Sequence, residues 1–280
     1  MSTLGNRLIL ICLILISLGI SSCEETDLQL ATEAGIEAFK SVTLSDEEIQ
    51  SIAVQSALYS DQKHQVAIGN NPYNKRLLRL VENHYREGPL EFNYKVYLSE
   101  QVNAFAMADG TIRIYSGLMD MMNDGELRFV IGHEMGHVVK DHIKKKVQLA
   151  YAASAIRKGI ASQNSTVGDI ARSQLGGITQ KLLNAQFSQF EEKEADDYGL
   201  KFLKMKGYPA KYAVSALRKL GGSGKSHSLF STHPDSDKRA DRIQAQIDGT
   251  AKSIEETKQG IWSRLMVWLE TILGWALSWI

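Results

Sequence analysis

The sequence predicts an α+β protein, predominantly α-helical, with one small three-stranded β-sheet. Three observations carry this. Helical periodicity dominates both flanks of the chain. Three short β-like runs, 94–98, 102–107 and 111–115, cluster between Gly88-Pro89 and Gly117. Only 4 prolines occur in 280 residues, so long helices meet few interruptions.

Taken in order, residues 1–22 read as a secretory signal peptide. Arg7 precedes an apolar run from Leu8 to Ile16, and small residues follow up to Cys23. The run is short for a membrane-spanning helix. Ile20-Ser21-Ser22-Cys23 resembles a bacterial lipobox, a likeness that implies cleavage before Cys23 and lipidation of its thiol. Acyl chains add about 0.8 kcal/mol of membrane affinity per buried CH2, so several chains anchor firmly. By analogy with Gram-negative sorting, Glu24 after the cysteine leans towards the outer membrane.

Residues 23–70 form an N-terminal helical segment, amphipathic from Glu24 to about Tyr59. Ser45-Asp46-Glu47-Glu48 has the form of a capping box within it, and 60–71 reads as a polar connection. The main domain spans 71–250. Pro72 opens a helix through about Arg86, with Leu77, Leu78 and Val81 on one face. After the break at Gly88-Pro89 come the β-like runs, with Asp109-Gly110 as the tight turn of a hairpin. Beyond Gly117 the pattern stays helical. Residues 144–183 carry Arg157, Lys158, Asp169 and Arg172, so they cannot span a membrane and read as two soluble helices over the cleft. Lys144, Lys145 and Lys146 read as a solvated helix face. Gly221-Gly222-Ser223-Gly224 is a flexible loop without the context of a phosphate loop. Residues 251–280 form a C-terminal amphipathic helix holding all four tryptophans, Trp262, Trp268, Trp275 and Trp279. Arg264 and Glu270 make spanning costly, so this helix fits a membrane interface, a partner helix or the body of the protein itself.

Composition narrows the function. With 44% hydrophobic and 23% charged residues, the chain is long and apolar enough for a sizeable core. Lys+Arg and Asp+Glu both number 32, so the net charge is 0 and no electrostatic footprint for nucleic acid exists. Cys12 and Cys23 are the only cysteines, which excludes a disulfide framework, a cysteine nucleophile and a cysteine metal site beyond residue 23.

The chemistry centres on His133-Glu134-Met135-Gly136-His137. In a helix, residues four apart face one side, so both imidazoles can grip one Zn2+ while Glu134 sits beside the open position. Zinc lowers the pKa of bound water towards about 7, and Glu134 is then the general base for attack on a peptide carbonyl. Phe129, Val130 and Ile131 before the motif and Val138-Val139 after it mark a buried helix, where histidines need partners. Gly132 and Gly136 weaken that helix and make sense where another backbone or a substrate approaches closely. A third ligand must come from another element. Glu192 and Asp196 share a helix face, so one can ligate while the other holds a ligand histidine, and Glu191 or Glu194 can also serve.

His133-Glu134-x-x-His137 followed by Glu192-x-x-Ala195-Asp196 resembles the HtpX- and Ste-type zinc metallopeptidases, a gluzincin family. Two more segments match: Asn103-Ala104-Phe105-Ala106 through Gly110 with Tyr115-Ser116-Gly117-Leu118, and Thr232-His233-Pro234 with Arg239. The likeness runs over about 24–250 and is nearest to the family's periplasmic lipoprotein branch, through Tyr94-Lys95-Val96-Tyr97, Gly117-Leu118-Met119-Asp120 and Gln186-Phe187-Ser188-Gln189. It implies a zincin-like fold, Glu192 as third zinc ligand, and Asp196 as the group holding a ligand histidine or a proton donor. It implies a lipid-anchored endopeptidase on the periplasmic face that removes misfolded or misassembled envelope proteins. The alternative is an envelope assembly factor or chaperone with a normally shut peptidase site. The stretch Asn103-Ala104-Phe105-Ala106-Met107 would pair with an extended peptide substrate. His233 has three readings: a donor to the oxyanion, a latch on the open zinc position, or a helix cap before Pro234. Arg239 would orient acidic groups. His64, His84, His142 and His227 lack ligand spacing and read as surface residues.

Overall fold

The computed structural model describes residues 44–81, 84–159, 186–222 and 232–259, with 177, 179, 180, 182–184 and 229. Two compact units divide the chain. Of the unit made of 1–43 and 151–164, the described part is the helical stretch 151–159. The signal peptide, Cys23, His227 and the tryptophan-bearing tail lie outside the described residues. The architecture below is that of the other unit, 44–150 and 165–280.

Helix α1 (Asp46–Lys63) starts where the capping box predicts: Glu48 N donates to Ser45 Oγ at 3.2 Å, and Ser45 N donates to Glu48 Oε2 at 2.9 Å. Helix α2 (Pro72–Val81) buries Leu77, Leu80 and Val81. The helix expected to reach Arg86 does not. Arg86 belongs instead to β1 (Arg86–Glu87), paired antiparallel with β2 (Leu90–Glu91). Gly88, at φ +57, supplies the left-handed residue of the turn between them, and the ring of Pro89 cannot continue a helix.

The three expected strands form one sheet in the order β3-β5-β4, from β3 (Asn93–Tyr97), β4 (Ala104–Ala106) and β5 (Thr111–Tyr115). β4 and β5 are the expected hairpin, with Phe105 opposite Arg113. β3 runs parallel to β5, which makes β5 central and β4 an outer strand. Gly110, at φ +87, turns the hairpin where a side chain would strike the carbonyl of Glu91. Every residue of β5 is buried, including Arg113. Its charge is met by Asp61 of α1, with Nε donating to Oδ1 at 2.8 Å and Nη2 to Oδ2 at 3.0 Å. Lys95 Nζ and Tyr97 Oη each add a 2.7 Å hydrogen bond to Asp61.

After the short α3 (Ser116–Met121), helix α4 (Asp124–Val139) runs through the core with 14 of its residues buried. Asn123 and Glu126 cap it reciprocally, and Lys219 Nζ donates to buried Glu126 at 2.7 Å. Helix α5 (His142–Gly159) follows after Asp141, whose φ of 58 turns the chain sharply. Lys144 pairs with Asp46, and the Nζ of Lys146 lies 3.0 Å from the ring centroid of Phe187. The lysine run is therefore not the solvated face expected; only Lys145 is exposed. Helix α6 (Gln189–Met205), capped by Ser188, packs along α4. Helices α7 (Lys211–Gly222) and α8 (Ser236–Ile247) complete the layer around α4 and α6. Of the two helices expected within 144–183, the described residues hold the first as the body of α5, while 160–176 lie outside them. Among the described residues, no helix is long and apolar enough to cross a membrane.

Candidate metal centre

The site sits where α4 meets α6. Their backbones approach because glycines line the contact. A Cβ on Gly136 would lie 2.9 Å from the Cβ of Tyr198 and 3.0 Å from the Cα of Ala195, and one on Gly132 would lie 2.9 Å from the Cβ of Phe202. The close backbone approach expected of these glycines is met by α6, the helix that carries Glu192 and Asp196.

This packing brings His133 Nε2 and His137 Nε2 to 3.0 Å. Glu192 faces both at 3.6 Å, through Oε2 and Oε1 respectively. His233, on the segment leading into α8, places Nδ1 2.9 Å from Glu192 Oε1 and 3.2 Å from His133 Nε2. One donor atom from each of the four residues lies within 4.8 Å of the others, and all four side chains are buried. A tetrahedral ion held at 2.0–2.1 Å separates its donors by about 3.3 Å, so the spacing suits one small divalent metal. Burial, with the neighbouring His133, His233, His142 and Lys146, pushes His137 well below the ordinary imidazole range, which leaves it neutral and able to ligate.

Of the acids considered for the third position, Glu192 alone reaches the Nε2 atoms of both His133 and His137. Glu191 caps α6 by accepting from Ser188 N at 2.9 Å, and Glu194 turns to His142 and Lys258. Asp196 Oδ1 lies 3.0 Å from His133 Nδ1, which fixes the proton there and leaves Nε2 with its lone pair towards the cluster. Arg239 bridges the acids: Nη1 is 2.6 Å from Glu192 Oε2, Nη2 is 2.6 Å from Asp196 Oδ1 and Nε donates to Oδ2 at 2.8 Å. Burial alone would raise both carboxyls. The Arg239 charge overrides it, holding Glu192 at about 2 and Asp196 well below the carboxylate range.

Glu134, one residue from His133, is 1% exposed, and its Oε1 has no hydrogen-bond partner. An orphaned buried carboxylate oxygen beside a donor cluster is poised to accept a proton from a small molecule held there. His233 Nε2 stands 3.5 Å from it. His233 does not cap α8, whose preceding residue is Asp235, at φ 60 and without a side-chain cap bond; its own N–H donates to Leu229 O at 3.0 Å, closing the turn that ends before Pro234. A cleft fronts the cluster, lined by Phe105 and Met107 of the β4 region, Glu134, Lys146, Phe187 and His233. Burial pushes Lys146 down to about 7, against the opposing pull of Glu134 and Glu192.

His142 is the main residue that sequence reasoning misplaced. It is 0% exposed, not a surface group. Its Nδ1 lies 3.0 Å from His137 Nδ1 and its Nε2 3.1 Å from Glu194 Oε2. Five positions along one unbroken helix would separate the two rings; the left-handed Asp141 folds His142 back. His64 and His84 are also packed rather than superficial. His64 stacks on Tyr97 with centroids 4.2 Å apart, and His84 meets Phe202 edge-on at 5.2 Å. Phe187, stacked 3.6 Å from the His137 ring, gave no sequence signal of a role here beyond its place in a matching segment.

Comparison with known proteins agrees with this geometry. The model of peptidase family M48 matches residues 70–247. Metalloprotease LoiP of Escherichia coli is 41% identical over 233 residues, which cover 81% of this chain and 92% of that protein. Metalloprotease YcaL of the same organism is 38% identical over 236 residues, with the same coverage of 81% and 92%. A β-barrel assembly-enhancing protease of Yersinia pestis is 28% identical over 160 residues, covering 53% of this chain and 33% of that one.

Proposed function

This chain belongs to peptidase family M48 and is a metalloendopeptidase; we propose that it is a zinc enzyme of the bacterial cell envelope, cleaving misfolded or misassembled proteins. One observation carries the reading: two imidazoles and Glu192 converge on a point beside an unpartnered oxygen of Glu134.

His133, His137 and Glu192 would hold the ion. When bound, zinc supplies a Lewis acid that makes water nucleophilic near neutral pH. Glu134 takes the water proton at Oε1 and delivers it to the departing amine nitrogen. Asp196 keeps the proton on His133 Nδ1 and Arg239 keeps both acids ionised. The outer strand β4 takes an extended substrate by main-chain pairing, which gives affinity without sequence choice. Cys23 carries the lipid anchor, on the periplasmic face of the outer membrane, with the 261–280 helix as a second contact. Similarity to two Escherichia coli metalloproteases over most of their length supports a bacterial setting, and the lipobox likeness ending at Cys23 supports the envelope.

His233 acts as a latch on the open metal position. Its Nδ1, 3.2 Å from His133 Nε2, supports that role over oxyanion donation. The same contact favours the second reading, an assembly factor whose peptidase site is normally shut.

The decisive experiment is cleavage of unfolded casein by the mature protein. Chelation and Glu134→Gln should each abolish it, while Glu134→Gln still binds one zinc per chain. Cleavage that survives both overturns the mechanism. Full rescue of a null strain by Glu134→Gln would make assembly, not proteolysis, the main task.

A further inference from the structure

We infer that His142 and Glu194 are positioning residues for His137: a relay from Glu194 through His142 sets which nitrogen of His137 faces the metal. The inference rests on the metalloendopeptidase reading above and extends it to residues outside the motif.

The relay is continuous. Lys258 Nζ donates to Glu194 Oε1 at 2.7 Å. Glu194 Oε2 lies 3.1 Å from His142 Nε2, and His142 Nδ1 lies 3.0 Å from His137 Nδ1. The two rings stand 5.1 Å apart with an interplanar angle of 67°. His137 and His142 are both fully buried, and Glu194 is 8% exposed.

Bond polarity then follows from what each group can donate. A carboxylate held by a lysine only accepts, so His142 donates through Nε2–H. A neutral imidazole carries a single N–H, so His142 Nδ1 presents a lone pair. That lone pair accepts from His137 Nδ1–H. His137 Nε2 is left with its own lone pair, directed at His133 Nε2 and Glu192. The opposite arrangement would set an N–H on His137 Nε2, where ligation is impossible. Both metal histidines are thus fixed by a carboxylate. His133 uses Asp196 directly, and His137 uses Glu194 at one imidazole's remove.

The turn between α4 and α5 shows the cost of this placement. Asp141 adopts φ 58, and α5 restarts at once, with Lys145 N donating to Asp141 O at 3.1 Å. A left-handed aspartate is uncommon and mildly unfavourable. It returns His142 to the ring it serves.

The test uses the full mature chain and measures zinc affinity by competition with a chelator, together with imidazole 15N shifts of the zinc-loaded protein. His142→Leu and Glu194→Ala should weaken zinc about 10- to 100-fold, the usual loss when a partner of a ligand histidine is removed. His142→Asn keeps an acceptor near His137 Nδ1, and Glu194→Gln keeps a carbonyl acceptor for His142. Both should retain affinity to within a few-fold, which a merely space-filling role would not require. The 15N shifts should show His137 protonated at Nδ1 and metal-bound at Nε2. Wild-type affinity in His142→Leu or Glu194→Ala, or a His137 protonated at Nε2, overturns the inference. Should His142→Leu fail to fold, the Glu194 pair and the wild-type shifts decide. A wild-type chain that binds no zinc sinks the proposed function and this inference together. A wild type that binds zinc, with Glu194→Ala binding equally, sinks only the relay.

Discussion

Arg239 grips Asp196 with two nitrogens, Nε at 2.8 Å from Oδ2 and Nη2 at 2.6 Å from Oδ1, where Asp196 has no solvent exposure. The same guanidinium reaches Glu192 through Nη1. One cation therefore bridges two buried, ionised carboxylates on successive turns of α6, which leaves the trio with a net negative charge, and each carboxylate faces a histidine of the motif.

Arg239→Leu should destabilise the apo protein by about 3–5 kcal/mol, because breaking a buried ion pair strands the opposite charge. A urea denaturation series reads this directly. Arg239→Lys should recover only part, since an ammonium cannot match the planar fork. Unchanged midpoints in both variants would remove the guanidinium from the account of why these acids are ionised.

His233→Ala should speed casein cleavage at saturating zinc while weakening zinc retention, as expected when a fourth donor leaves. Initial rates and chelator competition check both halves. A fall in rate with unchanged zinc affinity would return His233 to the role of oxyanion donor.

Gly136→Ala should cost about 1–3 kcal/mol, the range for overpacking a well-filled core. The new methyl meets Ala195 and Tyr198 at 2.9–3.1 Å, and both lie on the helix that carries Glu192. Zinc affinity should fall with stability, because relieving the clash moves α6 away from His137. Thermal melts with and without zinc measure the two effects.

Acid should loosen the sheet side of the protein through Asp61. Burial alone would raise its carboxyl; the hydrogen bonds from Arg113, Lys95 and Tyr97 override that and hold it at about 2, against 3.8 for a free aspartate. Its folded pKa is depressed, so its stabilising contribution is complete above pH 3.8 and is lost as the pH falls towards 2. Asp61→Asn should flatten the stability profile across that window.

Much of this was legible in the sequence, and the reasons are specific. Ser45 with Glu48 marked the start of α1, because a capping box is a local contract between neighbours. Gly132 and Gly136 point to a close approach by another backbone or a substrate, and α6 is what approaches them. The spacing of His133, Glu134 and His137 fixed one face of α4. Spacing alone could not choose among Glu191, Glu192 and Glu194, since helical phase places several acids near one face. Resemblance favours Glu192, and the packing of α4 on α6 brings it to 3.6 Å from both motif histidines. His142 stayed hidden because its position depends on a single left-handed residue, Asp141, and aspartate is common in ordinary helix starts too. The end of α2 is hidden for a similar reason. In the sequence Gly88-Pro89 reads as a break after the helix, whereas it is the turn of a hairpin that already includes Arg86.

The position of β4 at the border of its sheet, beside the cleft with Glu134, has a consequence for selectivity. On the proposal that substrate pairs with β4, whatever aligns there must offer several consecutive backbone N–H and C=O groups that nothing else is using. A well-folded domain has none to spare, so its exposure to such a strand follows the fraction of time its own segments come loose. Each additional 1.4 kcal/mol of local stability in the client lowers that fraction about tenfold. A protease built this way would sort its clients by looseness and leave their sequences almost unread.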